Sequence, residues 1–286
     1  MESHTLKTLI LLNFFAGCLH LALAIVTGVI GNISLTSPIY VTKNTFVYNS
    51  SSEGFGIDPR YVKGTEFPIT ALTVAFFAVT SFFHFSNITW FAKLYFCRLE
   101  KCQTPTRWLE YFITATIMAS VICFISGGRG LNTIVGVSGL IATTMLFGYF
   151  SELFNKPDFF RDEWEITTFR ERAFPHFCGW VPYIFAWFII LYSYFGGGGT
   201  CASPWWVITI IVGQFVQFSL FVVPQIFQLY CRPSKFVYGE MMFISLSFLA
   251  KAFLGIILLF AGITQDTWDA FDDIDVNTTC DVIDLA

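Results

Sequence analysis

Lys251 is the residue whose position most constrains the chemistry of this chain. It lies about 15 residues into an apolar run over 236–264, which at ~1.5 Å per helical residue puts it roughly 20 Å from either end. That is beyond comfortable snorkelling reach, so the ammonium needs a counter-charge or a covalent modification. Glu110, inside the run 106–127, is the carboxylate at matching depth. Two chemistries fit the pair. One is a Schiff base between the amine and an aldehyde, with the carboxylate as counterion; the other is a plain Lys to Glu ion pair that joins two helices or lines an ion path. Ser247 sits one helical turn before Lys251 on the same face. His20 and His84 also lie within apolar runs, and Glu152 and Glu240 stand at inner helix ends. Each histidine is either a proton carrier or a polar cross-link between helices. Two ligands on separate helices, without a Cys or carboxylate at ligand spacing, make a poor metal site, and none is expected.

The elements that must position these residues follow from composition. Of 286 residues, 55% are hydrophobic and 13% charged, against about 25% charged in globular proteins, and the mean hydropathy is +0.64. This excludes a soluble enzyme, a disordered tail protein and a basic nucleic-acid binder. The 35 Phe residues suit a surface in contact with membrane lipid. A spanning helix takes roughly 20 apolar residues, and seven runs qualify: 6–31, 67–90, 106–127, 131–152, 177–196, 204–230 and 236–264. The first is too long for the apolar stretch of a signal peptide and has no small-residue cleavage site after it. The expected fold is an all-α membrane protein, a seven-transmembrane-helix bundle.

Lys7, Lys93, Arg98, Lys101, Arg107, Lys156, Arg161, Arg170, Arg172, Arg232 and Lys235 flank one set of helix ends, whereas Lys43, Arg60, Lys63 and Arg129 flank the other. The richer side is the cytoplasmic one, so the N-terminus is expected inside and the C-terminus outside. Glycosylation sequons at Asn32, Asn49 and Asn277 fall on the external side. There, Ser34 to Glu66 reads as a short β-hairpin in the first extracellular loop. Residues 1–265 form the membrane domain, and 266–286 an acidic extracellular tail with seven Asp. Among the cysteines only Cys201 and Cys280 look extracellular and able to pair.

Arg107-Trp108-Leu109-Glu110-Tyr111 in the third helix, Ser247-Phe-Leu-Ala-Lys251 in the seventh, the histidines His20 and His84 and the inverted orientation together resemble the heliorhodopsins. The resemblance spans all seven helices. It implies a retinal-binding domain with all-trans retinal on Lys251, Glu110 as counterion, Ser247 hydrogen-bonding near the imine, and a polar cluster of His20 and His84 on the cytoplasmic side. It also implies a homodimer. Met118, Trp187 and Phe215 are the aromatic and sulfur side chains expected to complete the pocket. Seven residues after Glu110 stands Ile117, where ordinary proton pumps carry a donor carboxylate. The function implied is not enzymatic. It is that of a light sensor in the plasma membrane, signalling to a partner through the cytoplasmic loops. The alternatives are a light-gated ion (proton) channel or transporter, and an ordinary transporter if Lys251 is unmodified.

Overall fold

The structure, a computed structural model, describes residues 3–49, 54–154, 168–196, 203–231 and 235–263. Among the described residues, seven helices are long and apolar enough to cross a membrane, making the chain an integral multi-pass membrane protein. The first is α1 (Ser3–Ile30) and the second α2 (Ile69–Ile88). A short helix, α3 (Ala92–Glu100), lies between α2 and α4 (Pro105–Ile125). Next come α5 (Leu131–Phe154) and α6 (Phe169–Gly196). The sixth span is divided into α7 (Trp205–Leu220) and α8 (Val222–Tyr230), and the last is α9 (Phe236–Ile257), which ends in a π turn over Leu258–Gly262. Neighbours pack in the order α1, α2, α4, α5, α6, then α8 with α7, then α9, which returns to α1.

Local chemistry explains the departures from the apolar runs. The fifth helix begins at Phe169 rather than at residue 177, since a capping box starts it: the Thr168 amide and hydroxyl both donate to Glu171 Oε2, at 2.7 and 2.9 Å. Charged residues in its first turn lower the hydropathy without opposing the helix. The sixth span breaks at Phe221 because Pro224, one turn on, supplies no N–H for the backbone carbonyl four residues before it. The segment 92–100, between the second and third apolar runs, is helical because its apolar face can bury Tyr95 and Leu99.

Between α1 and α2 stand β1 (Ser37–Asn49) and β2 (Gly54–Phe67), paired antiparallel from Ser37 with Phe67 to Asn49 with Gly54. At 13 and 14 residues the strands are longer than a short hairpin, reaching roughly 40 Å at ~3.3 Å per residue. Only their base joins the core: Ile39 and Phe67 are buried, whereas Phe46, Phe55 and Tyr61 are exposed. The principal core cluster, including Phe76, Phe77, Ile122 and Phe124, lies under that base. The two ends of the bundle are therefore distinct, a hairpin end and a basic end that carries Lys93, Arg98 and Arg107. Cys201, Cys280, Asn277 and the tail 266–286 lie outside the described residues.

Candidate functional site

Helices α4 and α9 bring Glu110 and Lys251 together. The two side chains form an ion pair between Lys251 Nζ and Glu110 Oε1, with 3% and 4% of their residue surfaces exposed. Such a pair loses its hydration on both sides, and it is tolerated in the interior only if the remaining lone pairs are satisfied. Thr80 of α2 meets that need, donating from Oγ1 to Glu110 Oε1 at 3.2 Å. Thr114, one turn along α4, donates to the backbone oxygen of Glu110 at 2.9 Å. Lys251 Nζ also stands 5.3 Å from the centroid of the Tyr111 ring, within range of a cation–π attraction. Gln214 of α7 steadies the helix beside the lysine, its Nε2 donating to the Ala250 carbonyl at 2.8 Å.

A cavity of about 100 Å³ opens against this pair, on a measure by which one water needs ~10–15 Å³. Its wall is overwhelmingly apolar and aromatic, with Trp108, Tyr111, Trp180, Tyr183, Phe221 and Phe243 among the lining side chains and Lys251 at one boundary. Met118 and Ser247 line it. Trp187 and Phe215, placed in the wall by depth alone, do not. Trp187 is buried behind it, 5.3 Å from the Phe215 ring, and Phe215 is 41% exposed at the outer surface. Trp180 and Tyr183, on the same helix as Trp187, take that role. Gly148 makes room for the wall at one point, since a Cβ there would overlap the Trp108 indole.

Ser247 Oγ is buried without a hydrogen-bond partner among the described residues. His20 and His84 are both buried, with ring centroids 6.0 Å apart and planes inclined by 13°. They lie on the basic side of Thr80 and Glu110, His84 one helical turn beyond Thr80. Neither nitrogen of His20 has a partner among the described residues, whereas His84 Nδ1 meets Asn13 Oδ1 at 3.0 Å.

A second charged cluster was not foreseen from the sequence, where Arg107 counts as a flanking charge. Arg107 is buried, with its two terminal nitrogens paired to Glu240 and Glu152. Its guanidinium carbon lies 3.8 Å from the Phe243 ring centroid. Glu152 in turn accepts from the Thr104 amide and hydroxyl, at 2.7 and 2.8 Å, which secures the start of α4. Glu240 accepts from the Tyr95 hydroxyl at 2.9 Å. Burial and the Glu240 carboxylate hold the Tyr95 phenol well above its ordinary range, so it remains a proton donor. The signal available in the sequence was the coincidence of Arg107, Glu152 and Glu240 at the same end of three helices.

Among the described residues the arrangement offers a single primary amine deep in the bundle, a carboxylate held against it, and an aromatic cavity beside both. No curated protein matches the chain. A family model described as Heliorhodopsin matches residues 9–263, a stretch that takes in most of the first span, all of the other six, both charged clusters and the cavity. The chain therefore belongs to the heliorhodopsin family of light-sensing membrane proteins, rhodopsin-type photoreceptors built around a retinal chromophore.

Proposed function

We propose that Lys251 carries all-trans retinal as a protonated Schiff base, that Glu110 is its counterion, and that the protein is a light sensor. The observation that carries this reading is the Lys251–Glu110 ion pair at the boundary of an apolar, aromatic cavity. The residues present fit the group: a reactive amine at one boundary and an aromatic wall suited to a polyene. When bound, retinal supplies visible absorption and light-driven isomerisation. The protein's part is to keep Lys251 Nζ charged through Glu110, to exclude bulk water with Trp108, Tyr111 and Phe243, and to receive the Nζ proton on its His20 and His84 side when the carboxylate no longer holds it.

The basic end is the cytoplasmic one in this reading, supported by the excess of Lys and Arg there, and the N-terminus is then inside. A homodimer in the plasma membrane is part of the same reading, and the exposed Phe55 and Tyr61 of the hairpin offer apolar area for an external contact. Addition of all-trans retinal to the purified apoprotein tests the central claim. A visible band should form, and Lys251→Ala combined with Glu110→Gln, which leaves no unpaired buried carboxylate, should form none. A wash-resistant band in that double variant would overturn the assignment.

A further inference from the structure

Asn13 of α1 is buried, at 0% exposure, and every polar atom of its side chain is directed. Its Nδ2 donates to the Leu9 carbonyl at 3.0 Å. Because a carbonyl can only accept, this bond identifies the amide nitrogen and leaves Oδ1 toward α2, where it stands 3.0 Å from His84 Nδ1. An amide oxygen bears no hydrogen, so the proton of this contact belongs to the imidazole. The neutral ring then has Nδ1–H and a bare Nε2. That is the reverse of the tautomer that free histidine favours in water. The bare Nε2 is buried and without a partner among the described residues.

The other face of Asn13 points toward the second charged cluster. The Asn13 amide acts electrostatically on the Tyr95 hydroxyl, and that hydroxyl donates to Glu240 Oε1 at 2.9 Å. Glu240 pairs with Arg107. One polar run, from α2 through α1 and α3 to α9 and α4, thus connects the histidine beside the Lys251–Glu110 pair to the buried guanidinium at the basic end. A side chain at 13 must accept on one side and donate on the other. Among the neutral residues an amide of this length does both.

We propose that Asn13 is a positioning residue: it locks His84 in the Nδ1–H form, leaving Nε2 as the vacant base on the side of the Lys251 amine, and it couples that base to the Tyr95–Glu240–Arg107 cluster. The functional half of this inference rests on the reading of Lys251 as the retinal site. The tautomer itself does not, since it is a property of the protein alone.

Nitrogen-15 NMR of histidine-labelled protein reads the tautomer directly, and the chain has 4 His, so the His84 signal is identified by its loss in His84→Gln. The full-length protein without retinal should show His84 with Nδ1 protonated and Nε2 bare. Asn13→Leu should return it to the Nε2–H form, and Asn13→Asp, which keeps an acceptor, should retain Nδ1–H. After retinal is added, flash photolysis should show the lifetime of the state with Lys251 Nζ deprotonated changed about fivefold in Asn13→Leu, roughly what one neutral hydrogen bond is worth. An Nε2–H tautomer in the native protein, or a His84 signal unmoved by Asn13→Leu, overturns the proposal whatever the colour of the sample. A colourless native protein with the Nδ1–H tautomer would instead defeat the retinal reading and leave the positioning role of Asn13 standing.

Discussion

Thr80 Oγ1 donates, at 3.2 Å, to the same Glu110 oxygen that receives Lys251 Nζ. The hydroxyl and the ammonium therefore compete for one lone-pair region, and the hydroxyl moderates how strongly the carboxylate holds the positive charge at Nζ. Two substitutions should move absorption in opposite directions. Thr80→Val leaves the negative charge more concentrated on Glu110, favours the positive charge at Nζ in the dark state, and should shift the band to shorter wavelength. Glu110→Gln removes that charge and should shift it to longer wavelength by a larger amount. Spectra of the two variants decide the point, since shifts of the same sign would mean that another group is the counterion.

Arg107 is a single buried cation between two carboxylates, Glu152 and Glu240. Breaking a buried pair from one side leaves uncompensated charge, at a cost of about 3–5 kcal/mol. Arg107→Met should lower the melting temperature sharply. The triple variant Arg107→Met, Glu152→Gln, Glu240→Gln should recover most of the loss, because all three charges then leave together. Thermal unfolding followed by circular dichroism measures both. If the triple variant melts no higher than the single one, the dominant contribution of Arg107 is packing on Phe243 and Trp108 rather than charge.

Cys97 and Cys102 flank the end of α3 but differ in access: Cys97 is exposed and Cys102 buried. Burial, reinforced by Glu152, pushes the Cys102 thiol up to about 12, which leaves a thiolate fraction of roughly 10⁻⁴ at pH 8. In variants that retain one cysteine each, a membrane-impermeant maleimide at pH 8 should label Cys97 readily and Cys102 negligibly. Labelling of Cys97 should occur from the cytoplasmic face only. Reaction from the outside of intact cells would reverse the proposed orientation.

The main elements of the site were legible in the sequence because a charge within an apolar run is a signal carried by one residue; Lys251 and Glu110 needed no partner to be noticed. The burial of Arg107 carried no such mark, as it depends on Glu152 and Glu240, 45 and 133 residues away along the chain. Depth along a helix was readable where direction around it was not. Phe215 stands at a depth suited to the cavity but turns outward, and Trp187 lies one layer behind the wall. The start of the fifth helix was hidden for a different reason. Hydropathy falls over Arg170, Glu171 and Arg172, whereas the helix there is set by the reciprocal bonds of Thr168 and Glu171.

The polar groups around Lys251 are unevenly placed, and this bears on transport. Between the level of the lysine and the hairpin end, the described spans contain no Asp, Glu, His, Lys or Arg; their buried polar side chains include Thr27, Thr70, Thr73 and Ser126. These hydroxyls stand among Phe76, Phe77, Ile122 and Phe124, all at most 1% exposed. Toward the basic end lie Glu110, His20 and His84, followed by the Asn13–Tyr95–Glu240 run. Vectorial pumping requires proton-exchanging groups on both sides of the switching amine, and here they are on one. A proton leaving Lys251 Nζ should be held on the His84 side and return by the same route. Illumination of voltage-clamped cells at zero voltage and symmetric pH should therefore give no steady photocurrent. A sustained current under those conditions would contradict the one-sided arrangement, and a current seen only down an electrochemical gradient would identify a light-gated conductance through the hydroxyl-lined half.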